Sequence, residues 1–393
     1  MSQFHADYAW LGGERVVADV LITVDHGRIA SVVPGVKRPR EATQLRGVTL
    51  PGLANAHSHA FQRALRGRTQ RGGGSFWTWR EDMYSLAGSL TPDDTHRLAL
   101  GTYREMLRAG ITCVGEFDYV HHGEALIAAA DEVGIRLTLL DACYLAGGFG
   151  EPLNPAQERF SDGDAERWAQ RVSNIKGAKV GAAIHSVRAV PAEQLPTVVE
   201  FAKGRPLHFH VSEQRAENEA CLAAHGVTPV QLLAQSGALG PRSTAVHATH
   251  LTDTDRELLS ETTICMCPTT ERDLADGIGR PDANLSLGSD SHAIIDLFEE
   301  ARAVELNLRL ATERRGHFTA HALLEGATNH ASLGWPEAGH LQPGALADFI
   351  TVGLDSPRLE TAEPETLLES IVFAATAADV HSVVVDGRNL KQP

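Results

Sequence analysis

Between residues 48 and 290 the chain alternates short apolar runs with stretches of helical period. Eight predominantly apolar runs stand out, at 48–55, 111–117, 137–143, 180–185, 207–211, 244–248, 263–267 and 285–289. Between them, apolar positions recur every three or four residues over segments such as 92–109, 124–133, 192–202, 228–235 and 253–259. A short continuous apolar run suits a strand buried on both faces, and the intervening period suits a helix laid against it. Eightfold alternation of strand and helix predicts an α/β fold with a closed parallel (β/α)8 TIM barrel.

The two chain ends follow a different pattern. Val16-Val17, Val20-Leu21-Ile22 and residues 29–33 are short β-prone runs, with a turn signal at Asp25-His26-Gly27. Similar runs return at 347–352 and 381–388. The ends are therefore expected to pair into one small β-sandwich domain made from residues 1–50 and 341–393, with the barrel, residues 51–340, inserted between them.

Composition narrows the class. A formal charge of −15 argues against nucleic acid or an anionic membrane as partner. An anionic small molecule would need arginines gathered locally against that field. The cysteines, Cys113, Cys143, Cys221, Cys265 and Cys267, are odd in number and scattered, so no disulfide framework is expected. Cys265 and Cys267 read as buried core thiols, although strand parity would let them face a metal. The opening MSQFHADYAW has no basic segment followed by an apolar one, and no apolar run reaches about 18 residues. A cytoplasmic protein is the expectation. Gly72-Gly73-Gly74 predicts a mobile loop and cannot be a phosphate-binding loop, because no Gly-Lys-Ser/Thr follows.

The chemistry gathers at the predicted strand ends, where active sites of such barrels lie. The first run ends in His57-Ser58-His59, and residues i and i+2 of a strand point the same way. Later runs end in HFHVSE, with His210 and Glu213, in AVHATH, with His247, and in LSLGSDSH, with Asp290. One histidine in a strand is ordinarily a core residue; three with an aspartate at separate strand ends describe a catalytic metal centre. His57, His59, His210 and Asp290 suit one divalent ion, Zn²⁺ first, with Fe²⁺ or Mn²⁺ also accepted. A two-metal site of this plan needs a bridging lysine at the end of the fourth strand, which here reads VGAAIH. Lys179 sits at that strand's other end, so one ion is expected. Asp290 can accept a proton from the attacking water, Glu213 can deliver one to a leaving nitrogen, and His247 can stabilise the developing charge. His208, one step deeper than His210, reads as a core residue.

These residues resemble the amidohydrolase superfamily in its mononuclear deaminase branch. PGLANAHSHAFQRAL, SFWTWRE, EFDYVHH, IHSVRAV, HFHVSEQ, VHATH, CPTTERDLADG and GSDSH are together similar to the formimidoylglutamate deiminase family of histidine degradation. The resemblance runs from the first β segment to the last strand. It implies Zn²⁺-dependent hydrolysis of the C=N group of N-formimino-L-glutamate to N-formyl-L-glutamate and ammonia, by a homodimer. It implies metal ligation by His57, His59, His210 and Asp290, with Glu213 and His247 as proton shuttle and water-orienting group. It further implies substrate binding by Gln62, Arg80, Tyr119, His185 and Arg188. Two arginines on the loops after the first and fourth strands suit a dicarboxylate independently. Trp77 and Trp79 are expected to pack a lid. Asp118 stands where the family's EFHYVHH has histidine, and the family carries a longer tail after VVVDGRNLKQP.

Two other readings compete. A sibling deaminase acting on a heteroaromatic amine such as guanine would share the metal centre but want amide and aromatic partners in place of arginines. A non-catalytic barrel relative would be expected to lose metal ligands, and here the set is complete. Which C–N bond of the amidine breaks is a matter for product analysis.

Overall fold

In the computed structural model, which describes residues 1–281 and 284–391, the chain opens with β1 (Ser2–Ala9), β2 (Val17–Asp25), β3 (Arg28–Val33) and β4 (Thr43–Pro51). Then come β5 (Leu53–Ser58), β6 (Ile111–Asp118), β7 (Arg136–Cys143), β8 (Lys179–Ile184), β9 (Leu207–Val211), β10 (Ser243–His247), β11 (Thr263–Met266) and β12 (Leu285–Leu287). The chain finishes with β13 (Phe349–Val352), β14 (Val380–Val385) and β15 (Arg388–Lys391). Gln392 and Pro393, the end of the expected C-terminal β segment, lie outside the described residues.

The chain ends do pair. They form a seven-stranded sheet in the order β15-β14-β13-β4-β1-β2-β3. The predicted turn at its edge is a two-residue hairpin: Asp25 pairs with Arg28, and His26 and Gly27 both have positive φ, +46° and +73°. That is the type I′ geometry that matches strand twist, and glycine tolerates it best.

β5 to β12 close in chain order into an eight-stranded parallel barrel, as the alternation predicts. The first predicted run, 48–55, is in fact two strands, β4 in the end sheet and β5 in the barrel. The break falls at Pro51-Gly52. A Cβ on Gly52 would lie 2.1 Å from Thr112 Oγ1, so only glycine lets the chain pass this close to β6. The Gly52 amide turns away to donate to Asp348 O at 3.0 Å.

The interior is lined by small and sulfur-bearing side chains, Ala54, Ala56, Cys113, Val246, Cys265 and Cys267 with Leu333. All five cysteines are free and buried, as core thiols should be. One end is plugged by Leu333 and Trp335: Thr138 Oγ1 donates to Leu333 O at 2.7 Å, and Trp335 Nε1 donates to Thr138 Oγ1 at 3.0 Å. His208 Nε2 donates to Ser332 O at 2.9 Å in the same layer, a core role. No helix among the described residues is long and apolar enough to cross a membrane.

Candidate metal and catalytic site

The opposite mouth of the barrel is where the ring closes, and closure assembles the site. β12 is three residues long and meets β5 through Leu287 and Asn55. Asn55 extends the seam with its side chain: Oδ1 accepts from Ser289 N at 3.0 Å and Nδ2 donates to Ser289 Oγ at 2.7 Å. Beyond it, Asp290 N donates to His57 O at 3.0 Å and His59 N donates to Asp290 O at 3.2 Å. These bonds bring three of the predicted ligands together.

Their polar atoms converge. Asp290 Oδ1 lies 3.4 Å from His57 Nε2 and 3.5 Å from His59 Nε2. His210 Nε2 lies 3.1 Å from His57 Nε2. Ligand atoms placed tetrahedrally around Zn²⁺ at normal bond lengths stand roughly 3.3 Å apart. The outer nitrogens are tied: His59 Nδ1 donates to Phe117 O at 3.2 Å, and His210 Nδ1 donates to His185 O at 2.8 Å. That leaves both Nε2 atoms with a lone pair aimed inward, as metal ligation requires. Burial lowers the pKa of His57, lowers His59 to about 3 and takes His210 well below its usual value, so these rings are neutral. His57 shares one group close enough to hold an ion with His59 and Asp290 and another with His210 and His247, so the residues present fit one divalent ion centred on His57. The described lysines offer no bridge, since Lys179 Nζ lies over the Trp335 ring at the plugged end.

His247 and Glu213 complete the cluster. His247 Nε2 is 3.7 Å from Glu213 Oε1 and 3.7 Å from Asp290 Oδ2, while its Nδ1 is 3.4 Å from Glu271 Oε1. Although burial opposes it, Glu213 and the other two carboxylates hold the His247 pKa well above normal. Burial pushes Glu213 up to about 7; His247 opposes the rise and Asp290 adds to it. The backbone is strained here, with φ of +52° at Ser212, +67° at His247, +50° at Ala248 and +40° at Asp290. Non-glycine residues adopt such values at a cost that recurs at functional sites.

The predicted substrate-binding residues line the cavity beside this cluster. His59, Gln62, Arg80, Tyr119, His185, Arg188, His210, Glu213, His247 and Asp290 all face it. Gln62 Nε2 donates to the Tyr119 hydroxyl at 3.3 Å. Arg188 Nε donates to Glu217 Oε1 at 3.2 Å. Arg80 corrects the expectation of a loop. It lies on a helix, Phe76–Ser89, started by a Ser75–Thr78 capping box. Phe76, Trp79, Arg80, Met83 and Tyr84 of that helix face the cavity at helical spacing. Trp79 packs against the cavity, whereas Trp77 carries the Arg80 guanidinium 4.6 Å above its ring.

For four residues, Glu116, Glu271, Cys267 and Asp118, the structure adds what sequence reading alone does not give. Glu116, at the end of β6, accepts from Ser58 Oγ and from Ala60 N at 2.6 Å, and so braces the His57–His59 turn. Glu271 lies in CPTTERD, four residues past Cys267, where its distance from the strand end hid it. Cys267 falls with His247 and Asp290 in a group close enough to share an ion. Asp118, the departure from the family motif, is buried outside the cavity. Its Oδ1 accepts from Val120 N at 2.9 Å, and burial with the Asp141 charge pushes it up to about 7.

A closed parallel barrel carrying inward-facing histidines and an aspartate at its strand ends defines a metal-dependent hydrolase of the TIM-barrel type. The chain belongs to the amidohydrolase family, whose model matches residues 48–390. It is 35% identical to a formimidoylglutamate deiminase of Pseudomonas aeruginosa, over 88% of this chain and 85% of that protein. It is 29% identical to a 5-methylthioadenosine/S-adenosylhomocysteine deaminase of Haloarcula marismortui, over 95% of this chain and 88% of that protein. Among solved structures, an amidohydrolase from Brucella melitensis superposes with a TM-score of 0.91 at 33% identity, covering 100% of this chain and 95% of the other. A zinc-bound adenosine deaminase from Xanthomonas campestris shares the fold, with a TM-score of 0.85 at 22% identity over 99% and 92% of the two chains.

Proposed function

We propose that this protein hydrolyses the C=N group of N-formimino-L-glutamate, giving N-formyl-L-glutamate and ammonia. The observation that carries this reading is the presence of two arginines, Arg80 and Arg188, in the same cavity as His59, His210 and Asp290. Paired guanidiniums suit the two carboxylates of a glutamate derivative. A neutral nucleoside would leave Arg80 without an anion and Arg188 with Glu217 alone.

His57, His59, His210 and Asp290 would hold the divalent ion, Zn²⁺ or else Fe²⁺ or Mn²⁺. Such an ion lowers the pKa of water toward about 7 and polarises the group under attack. The chain's own residues supply the rest. Asp290 Oδ2, turned toward His247 and away from His57 and His59, accepts the proton as the water oxygen bonds to the amidine carbon. His247 steadies the charge on that oxygen. Glu213, whose pKa near 7 suits proton transfer at neutral pH, protonates the terminal nitrogen. As that C–N bond breaks, the proton held by Asp290 passes to the departing nitrogen and the hydroxyl proton returns to Glu213, so ammonia leaves and the carbon keeps the water oxygen as a formyl group. Arg80 and Arg188 orient the glutamate portion, with Tyr119, Gln62 and His185 walling the amidine end.

The test is turnover of N-formimino-L-glutamate by metal-loaded protein, with products identified by NMR. Formylglutamate and ammonia are expected. Formamide and glutamate would overturn the choice of bond. Ammonia released from guanine or from 5-methylthioadenosine, with none from formiminoglutamate, would overturn the substrate.

A further inference from the structure

Glu271 is a buried carboxylate that the reaction above leaves without a task; it is 2% exposed. One oxygen, Oε1, serves two groups: it accepts from the Cys267 backbone N–H at 2.9 Å and faces His247 Nδ1 at 3.4 Å. The amide that holds it belongs to the residue just past β11, and His247 ends the neighbouring β10. The barrel backbone thus sets the carboxylate, and the carboxylate meets the ring.

We infer that Glu271 is a positioning residue which holds the Nδ1–H and the ring plane of His247, so that Nε2 is the atom presented to the reacting centre. An ionised carboxylate only accepts hydrogen bonds, so the nitrogen facing it carries the proton. Without Glu271, only the carboxylates of Glu213 and Asp290 on the Nε2 side would hold the ring, and the barrel backbone would no longer set its plane. The arrangement parallels His59 and His210, whose outer nitrogens are tied to backbone carbonyls. For His247 the outer partner is a charge, which suits a ring that must share positive charge during turnover. This inference rests on the catalytic reading of His247 given above.

The test compares Glu271→Ala and Glu271→Gln in the metal-loaded protein, with His247→Asn as reference. Histidine ¹⁵N NMR, with the His247 signals identified by their loss in the reference variant, reads the tautomer directly. The parent protein is expected to show His247 protonated at Nδ1. Glu271→Ala is expected to shift the His247 Nδ1 signal away from its hydrogen-bonded position, lower kcat about 10–100-fold, leave KM within about twofold and keep its metal. In Glu271→Gln the Cys267 amide holds the side-chain oxygen in place, so the Nδ1 signal and most of the kcat are expected to return. Should the alanine variant not fold, Glu271→Asp withdraws the oxygen by one methylene and is expected to behave likewise. An unchanged Nδ1 signal and kcat in Glu271→Ala or Glu271→Asp overturn the inference. If His247→Asn turns over normally, the catalytic reading of His247 fails, while the ¹⁵N spectra still decide what Glu271 does.

Discussion

Glu213 lies among metal-ligand residues, but its carboxylate faces His247, and no ligand-type contact to His57, His59 or His210 forms. Its position two residues past β9 carries it over the cluster. Glu213→Ala is therefore expected to bind one equivalent of metal, measured by elemental analysis, while turnover falls at least about 100-fold, the scale of a lost acid–base group. Loss of the metal would make Glu213 a ligand. The arginines should separate from it kinetically. Arg188→Met is expected to raise KM about 10-fold or more with a smaller change in kcat, since one charge-assisted bond to a carboxylate contributes about 1.5–3 kcal/mol. An effect confined to kcat would place Arg188 in the chemistry and remove it from carboxylate binding. His57, His59, His210 and Asp290 were legible because strand parity and strand ends alone place them. Glu116 is visible as a strand-end carboxylate, but its bracing role and the place of Glu271 are not, because each acts through a backbone amide that only the folded barrel brings near. Asp118 could be seen as a departure but not placed, since its surroundings, Asp141 and Arg171, come from other elements.

At the scale of elements, the alternation of runs and helices gave the barrel, but it joined β4 to β5. Both strands are apolar, and a pattern of burial does not record a change of sheet. The signal was Pro51-Gly52, where proline removes a donor and glycine permits a close approach. Gly52→Ala would drive a Cβ into Thr112, against a side chain fully buried in β6. Overpacking of this kind costs about 1–3 kcal/mol, to be read as a lower urea midpoint at an unchanged slope. A midpoint like that of the parent would mean that β5 and β6 can part without loss. In the helix Phe76–Ser89 the aromatics suggest a lid and mask the helical period. Ser75-x-x-Thr78 caps it, and Phe76, Trp79, Arg80 and Met83 recur at that period.

Among the described residues the barrel has one weak seam, where β12 returns to β5. Elsewhere adjacent barrel strands share three or more paired residues, whereas here the pairing is Leu287 with Asn55, with an isolated bridge from Ser58 to Asp290. The candidate ligands straddle this seam: His57 and His59 stand on one side, Asp290 on the other, and His210 faces them from across the mouth. An ion held by all four would tie the last strand to the first, and its binding free energy would add to stability, about 4 kcal/mol at a thousandfold excess over Kd. Chelation is therefore expected to loosen the molecule locally before it unfolds. Hydrogen exchange should quicken in residues 285–292 and 53–60, while the end sheet keeps its protection through Arg136, whose Nη2 donates to buried Asp348 Oδ1 at 3.0 Å. Readdition of Zn²⁺ should restore both exchange and turnover. A uniform rise in exchange over barrel and end sheet would show that the seam is not what the metal holds. No change at all would deny these four residues the ion.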